Sequence, residues 1–440
     1  MLEQQPEITE GEASLNALDL EWNQICDTVG SLLERGLKPI GENEIPIELR
    51  SQVWTILEQL TEDPRLIPGF KAHYRYSNAR PVEAYGSTVR GKAMHTVLDY
   101  ALWLLRQINR EENQEEQTAR GFDEMPEVRE LLERHLNPEY DSSLTIRSIY
   151  GERLASLMNL DLNWTSQNLK RIFPRDEALQ ELRDAAWEGY LTSGYSDAEL
   201  FATLFATLRE EYSHAIKRIG TATPEWQNRS RADEALAVHL LDLYWRGELE
   251  LGESDQLLER FFANASAHNR EEFMKQIAWW LRYRNFEVGT DLLRLQRLWE
   301  WRVSDVESTQ ATNSQASDLK FFSWWFISRK FDDTWAIVQL INTLRLAKAL
   351  HYDPDLLRHL VALAPSMPLA TVECLGLMAE ANGTPGDKLF AFYHQEDYCP
   401  ILSAVLQSED KQACKAAKEL INRLLVRGID FRDLLSDGEV

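Results

Sequence analysis

The sequence predicts an all-α protein, with antiparallel helix pairs stacked into a degenerate TPR/HEAT-like α-solenoid. Three observations lead there. Apolar residues recur with the period of about 3.6 that marks an amphipathic helix, and no segment alternates with the period of about 2 of a half-buried strand. Most connections are short, which makes successive helices antiparallel neighbours. At 440 residues the chain is too long for one compact core, so it forms either two or three domains or one elongated array. No fixed-period repeat is visible, hence a degenerate array.

Along the chain, Leu18, Trp22, Ile25, Val29, Leu32 and Leu33 form one helical stripe, and Leu200, Leu204, Phe205, Leu208, Tyr212, Ile216 and Ile219 another. Helix starts are marked by groups that satisfy free backbone N–H donors. Ser196 with Glu199 makes a capping box, Asp176 precedes a helix, and Pro46, Pro126 and Pro354 fit first-turn positions. Gly247 and Gly428 follow apolar runs as C-caps. About sixteen helices result. Three stretches lack periodicity: 63–87 with Pro64, Pro68 and Pro81, the polar segment 110–125, and 304–317. They predict a disordered acidic N-terminus (1–13), an N-terminal helical block (14–110), a polar linker (111–125), a central block (126–303), a polar loop (304–317) and a C-terminal block (318–440).

Composition narrows the function classes. Against 47 basic residues stand 71 acidic ones, a formal charge of −24, which repels phosphate backbones and anionic lipid at long range. Nucleic acid is therefore not an expected partner; the one basic hint, Lys170-Arg171 with Arg175, is short. The four cysteines, Cys26, Cys374, Cys399 and Cys414, have no paired spacing, so reduced thiols and a cytoplasmic location are expected. The acidic, polar N-terminus predicts no secretory signal, and no apolar run is long enough to span a membrane.

One stretch hints at chemistry. In YGSTVRGK, Gly86 is followed after four residues by Gly91 and Lys92, the skeleton of a P-loop. A P-loop needs an apolar strand before it, yet Pro81 sits there; it needs a Ser or Thr after the lysine, yet Ala93 stands there. The residues fit better as a helix capped by Thr88, with Gly91, Met94, Leu98, Ala101, Leu102 and Leu105 on one buried face and Lys92, Thr96, Asp99 and Trp103 on a solvated one.

Other chemistry-bearing residues form no motif. His239 sits on an apolar helix face, as a core histidine does; His214 with Glu210 one turn earlier lacks the second histidine of a zinc helix; His394 and Cys399 are two metal-ligand types without further partners. No GxSxG elbow is present. No cofactor is expected. The most unusual segment is FFSWWF, with Phe321, Trp324, Trp325 and Phe326, followed by Trp335. Aromatics on every side of a helix mean deep burial or a face left open for a partner; burial is the favoured reading, because aromatics fill cores, and these five residues are the candidate protein-binding surface if a face is open.

Taken in order, TVRGKAMHTVLDYALWL, IRSIYGERLASLMNLDLNWTSQNLKRIFP, AAWEGYL, HLLDLYWRGEL, LWEWR and FFSWWFISRKFDDTWAIVQL resemble the C-terminal helical region of bacterial antiviral STAND NTPases, over roughly residues 45 to 435. In that family this region is a solenoid-like sensor that binds a viral protein, while separate modules oligomerise and do damage. The chain departs from the family in lacking both the NTPase and an effector. The resemblance implies a non-enzymatic sensor or subunit whose partner is a phage protein or a companion defence subunit. Two alternatives stand beside it: an effector enzyme with a site assembled from distant helices, using His214, His239 and Glu210, or an intracellular scaffold subunit without a defence role.

Overall fold

A computed structural model describes residues 25–26, 28–38, 44–62, 81, 86, 88–111, 121–193, 198–220, 229–283, 290–309, 315–351, 353–381 and 395–436. The regular elements among the described residues are all helices, with no strand among them, as the periodicity predicts. The chain divides into two compact units, residues 1–210 with 222–235 and residues 211–221 with 236–440. The intended linker is partly packed: Gly121–Glu124 forms a 3-10 turn in which Phe122, with Met125 after it, is fully buried. The intended loop 304–317 begins inside a helix that runs to Ser308 and ends on buried Ala316. Ser196, His394, most of YGS and residues 1–13 lie outside the described residues.

The first unit contains helical residues 28–37, then α1 (Arg50–Thr61), α2 (Val89–Glu111), α3 (Pro126–His135), α4 (Leu144–Glu152), α5 (Leu154–Leu160), α6 (Leu162–Ile172) and α7 (Gln180–Thr192). Helix α2 starts as expected, with the Gly91 N–H donating to the Thr88 hydroxyl at 3.0 Å. It packs against α1, α4 and α5. That surround corrects the solvated face: Trp103 is fully buried and Thr96 and Asp99 are nearly so. Thr96 donates to the Lys92 carbonyl at 2.8 Å and Arg153 donates to one Asp99 oxygen, while the Trp103 indole N–H is buried without a hydrogen-bond partner among the described residues. Ile25 and Leu32, by contrast, face outward, while Cys26, Leu33 and Leu37 carry the buried stripe.

Helices α4 and α7 make the closest contact of the unit. Gly151 and Gly189 face each other's helix backbones: a Cβ on Gly151 would run into the Ala186 carbonyl, and one on Gly189 into the Ser148 carbonyl. Two glycines one helix apart let the backbones touch, with Leu144, Leu182 and Ala185 forming the apolar seam beside them.

The unit boundary falls within α8 (Ala198–Arg218) and α9 (Arg229–Arg246). The second unit continues with α10 (Leu257–Asn264), α11 (Ala267–Tyr283), α12 (Thr290–Ser308), α13 (Phe322–Ile327), α14 (Asp333–Ala347), α15 (Pro354–Leu363), α16 (Pro368–Glu380), α17 (Gln395–Leu406), α18 (Lys411–Val426) and α19 (Asp433–Ser436). Pro126 and Pro354 occupy first-turn positions, whereas Pro46 precedes a 3-10 turn, Ile47–Leu49, that leads into α1. Gly247 and Gly428 both adopt φ of 86°, and Ile429 N–H reaches back to the Leu424 carbonyl at 3.0 Å, closing α18 as a C-cap glycine does. Helices touch mainly neighbours one to three steps along the chain: α13 meets α11, α14 and α15, α14 meets α16, and α16 meets α17 and α18.

Candidate functional site

The aromatic segment is where the sequence placed a protein-binding surface. The structure puts Phe321, Trp325 and Phe326 in the core, at 5%, 0% and 1% exposure, and leaves Trp324 and Trp335 half-buried. The rings pack on one another and on LWEWR. Trp299 lies 4.5 Å from Phe322 and 5.1 Å from Trp325, centroid to centroid; Phe331 stacks on Trp325; Phe321 and Trp324 close on His351. Trp335 spends its indole N–H on Glu300, at 2.7 Å. Phe321, Trp325 and Phe326 are thus corrected from contact surface to core: α13 has neighbours on several sides and no open face.

A buried ion pair holds that core in register. Arg302, from LWEWR, meets Asp318 with Nε at 2.9 Å and Nη2 at 3.0 Å, and also reaches Asp305 and the Gln315 carbonyl. Asp318 is completely buried. Burial works against the Arg302 charge, but the Asp318 hydrogen bonds and the facing carboxylates outweigh it and raise its pKa. These polar groups connect one helix end to another and leave no open position for a reactant.

The residues named for an assembled active site are also placed. Glu210 is exposed in the first unit, 3.2 Å from Arg175. In the second unit His239 is buried with Nδ1 at 3.0 Å from the Tyr212 hydroxyl, the core histidine its apolar face suggests. His214 is half-buried. Burial raises the Cys399 thiol pKa. Among the described residues no group of three or more His, Cys, Asp or Glu is arranged to hold a metal ion.

A concave surface does appear in the first unit. A cleft of about 610 Å³ opens between the C-terminal end of α3 and that of α6, with the turn 137–140 at one side and Pro174 and Leu179 at the other. Both helix ends are held by one residue of α4. The guanidinium of Arg147, 1% exposed, donates through Nη2 to the Leu136 carbonyl at 2.9 Å and through Nη1 to the Arg171 carbonyl. A cation at two helix C-termini offsets the negative ends of both macrodipoles at once.

Behind the cleft lies a polar node. Asp141 accepts from Arg90 Nη2 at 2.6 Å, from the Ser143 N–H at 2.9 Å, and lies 2.7 Å from His135 Nδ1. Glu62 accepts from the Tyr140 hydroxyl at 2.5 Å and from Arg134 at 3.0 Å. Burial pushes the Asp141 carboxyl upward, but the His135 hydrogen bond and the Arg90 charge outweigh it, so its pKa is lowered. The node fixes the rim residues Arg134 and Tyr140, the latter 48% exposed.

Charges on the rim are unevenly used. Arg134 is answered by Glu62, and Glu133 by Arg129 at 2.9 Å and by the Trp164 indole at 3.0 Å. Arg171 donates to Asn168 and to the Glu133 carbonyl, neither of which carries an opposing charge. Lys170 is exposed and has no partner among the described residues. In sequence Lys170 and Arg171 are only a short basic run; Asn137, Tyr140 and Leu179 join them in space alone.

No helix among the described residues is long and apolar enough to cross a membrane. Comparison with protein-family models, with curated proteins and with solved structures finds no match to this chain.

Proposed function

We propose that the chain is a non-enzymatic helical protein-binding module of solenoid type that works through the cleft between α3 and α6. One observation carries the reading: the cleft is a concave surface with an apolar wall, its two helix ends are tied by Arg147, and its rim presents Lys170 without a partner. The buried titratable groups support it as well. Asp141, Asp318 and His239 are spent on bonds between elements. The ordered motifs that resemble the sensor region of antiviral STAND NTPases make a phage protein, or a companion defence subunit, the partner we propose.

The test is capture by the tagged full chain from bacteria before and after phage challenge, with Lys170→Glu as matched bait. The expected outcome is a protein retained by the native chain after challenge and lost with the variant. Identical captures by both baits, under both conditions, would remove the reading.

A further inference from the structure

Resting on that protein-binding reading, we infer that the cleft takes an extended peptide segment in which an acidic side chain sits beside an apolar one, the carboxylate meeting Lys170. The charge count on the rim points this way. Among the residues that line the cleft, three cations, Arg134, Lys170 and Arg171, stand against two carboxylates, Glu130 and Glu133; Arg134 is engaged from outside by Glu62 and Glu58, and Lys170 has no carboxylate on it among the described residues. Arg147 beneath them offsets the two helix ends, which would otherwise repel an incoming carboxylate. In a chain with a formal charge of −24, a local positive surplus is a selective feature, since the field around it discourages anions that bring no other contact.

The second half of the inference comes from the wall. Leu136, Pro138, Pro174 and Leu179 line the cleft beside the cations. Of these, Pro138 and Leu179 are half-buried and offer apolar surface to a side chain next to the carboxylate, with Leu136 and Pro174 buried beneath, and a Lys ammonium is a point charge that accepts a carboxylate from several directions. Asn137 uses its side-chain oxygen on the Glu139 N–H at 3.1 Å, which leaves its amide N–H₂ directed elsewhere for a peptide carbonyl. A volume of about 610 Å³ suits a few residues of peptide rather than a folded domain.

The experiment is selection of a displayed random-peptide library on the full chain, followed by fluorescence polarisation with the enriched peptide. Expected are sequences with Glu or Asp next to Leu, Ile or Phe, and binding that weakens with added salt. Lys170→Glu is expected to weaken binding at least tenfold and Lys170→Arg to retain it within about threefold. Circular dichroism should show both variants folded, as Lys170 is exposed. Enriched peptides without an acidic residue, or equal binding by Lys170→Glu, overturn the inference while leaving a protein-binding module whose ligand chemistry is different. Full competition by poly-glutamate or inorganic phosphate also overturns it, since charge alone would then suffice, as does binding of oligothymidylate in place of peptide. Failure to enrich any peptide overturns it too, and loses the broader reading only if the phage-challenge capture fails as well.

Discussion

The two units hold their helices together in opposite ways. In the first, α4 and α7 approach until Gly151 and Gly189 lie against backbone carbonyls, and the contact works because nothing intrudes. In the second, α12 and α13 are separated by Trp299, Phe322 and Trp325, and the contact works because large rings fill the gap. One packing fails when atoms are added, the other when atoms are taken away. Both follow from interiors packed to crystal-like density, where a methyl group too many and a ring too few are both felt.

The largest expected effects break the second unit, first through its ion pair. Replacing Arg302 by Ala takes away both hydrogen bonds to the fully buried Asp318 carboxylate, leaving it only the longer Arg270 contact at 3.8 Å, and should remove about 3 kcal/mol of stability, read from urea unfolding. Arg302→Ala with Asp318→Leu should recover part of that loss, because the buried carboxylate is gone, although Arg270 loses its contact with it. Next, Trp325→Ala should remove about 3–5 kcal/mol, with hydrogen exchange rising in α12 to α14 and little change in α4 and α7. Gly151→Ala should do the reverse, raising exchange in α4 and α7 at a loss of about 1–3 kcal/mol. Equal effects of Gly151→Ala on both units would end the contrast drawn here.

An effect of comparable size depends on pH. Burial first, then the Arg153 charge, lowers the pKa of His95 in α2 from 6.5 to about 4. Between those values the unfolded chain takes up a proton that the folded one refuses. The stability linked to His95 is thus fully present above pH 6.5 and declines as pH falls towards about 4, by up to about 3 kcal/mol. His95→Gln should flatten that slope in the pH dependence of unfolding. The least expected effect is that of Trp335→Phe, which loses the hydrogen bond to Glu300 and about 1 kcal/mol.

Local signals carried much of the fold. Thr88, Asp176, Pro126 and Pro354 start their elements where capping chemistry says they should, and Gly247 and Gly428 end theirs. Periodicity was weaker on faces, because it groups residues into stripes without saying how many neighbours a helix has. Trp103 on α2 is the example: a second stripe means a second packing partner, and α2 has α1, α4 and α5 around it. The same limit turned FFSWWF into a candidate contact surface, when the stretch supplies the rings between several helices. The glycines of IYGER and WEGYL are visible in the sequence, but their mutual approach is a fact of three dimensions. So is the cleft, whose walls come from 130–140 and 170–179, two helix ends that local pattern does not relate.

Arg147 gives that cleft a mechanical character. A guanidinium is a rigid plane, and here its two arms set the spacing between the ends of α3 and α6 as a fixed spacer sets a caliper. The jaws can neither spread to admit a bulkier guest nor close on a thinner one while that spacer stays in place. On the proposed reading, tolerance for different ligands comes from the rim side chains, above all the long, exposed arm of Lys170. Shortening the spacer to lysine would loosen the jaws and trade a gauge for a hinge.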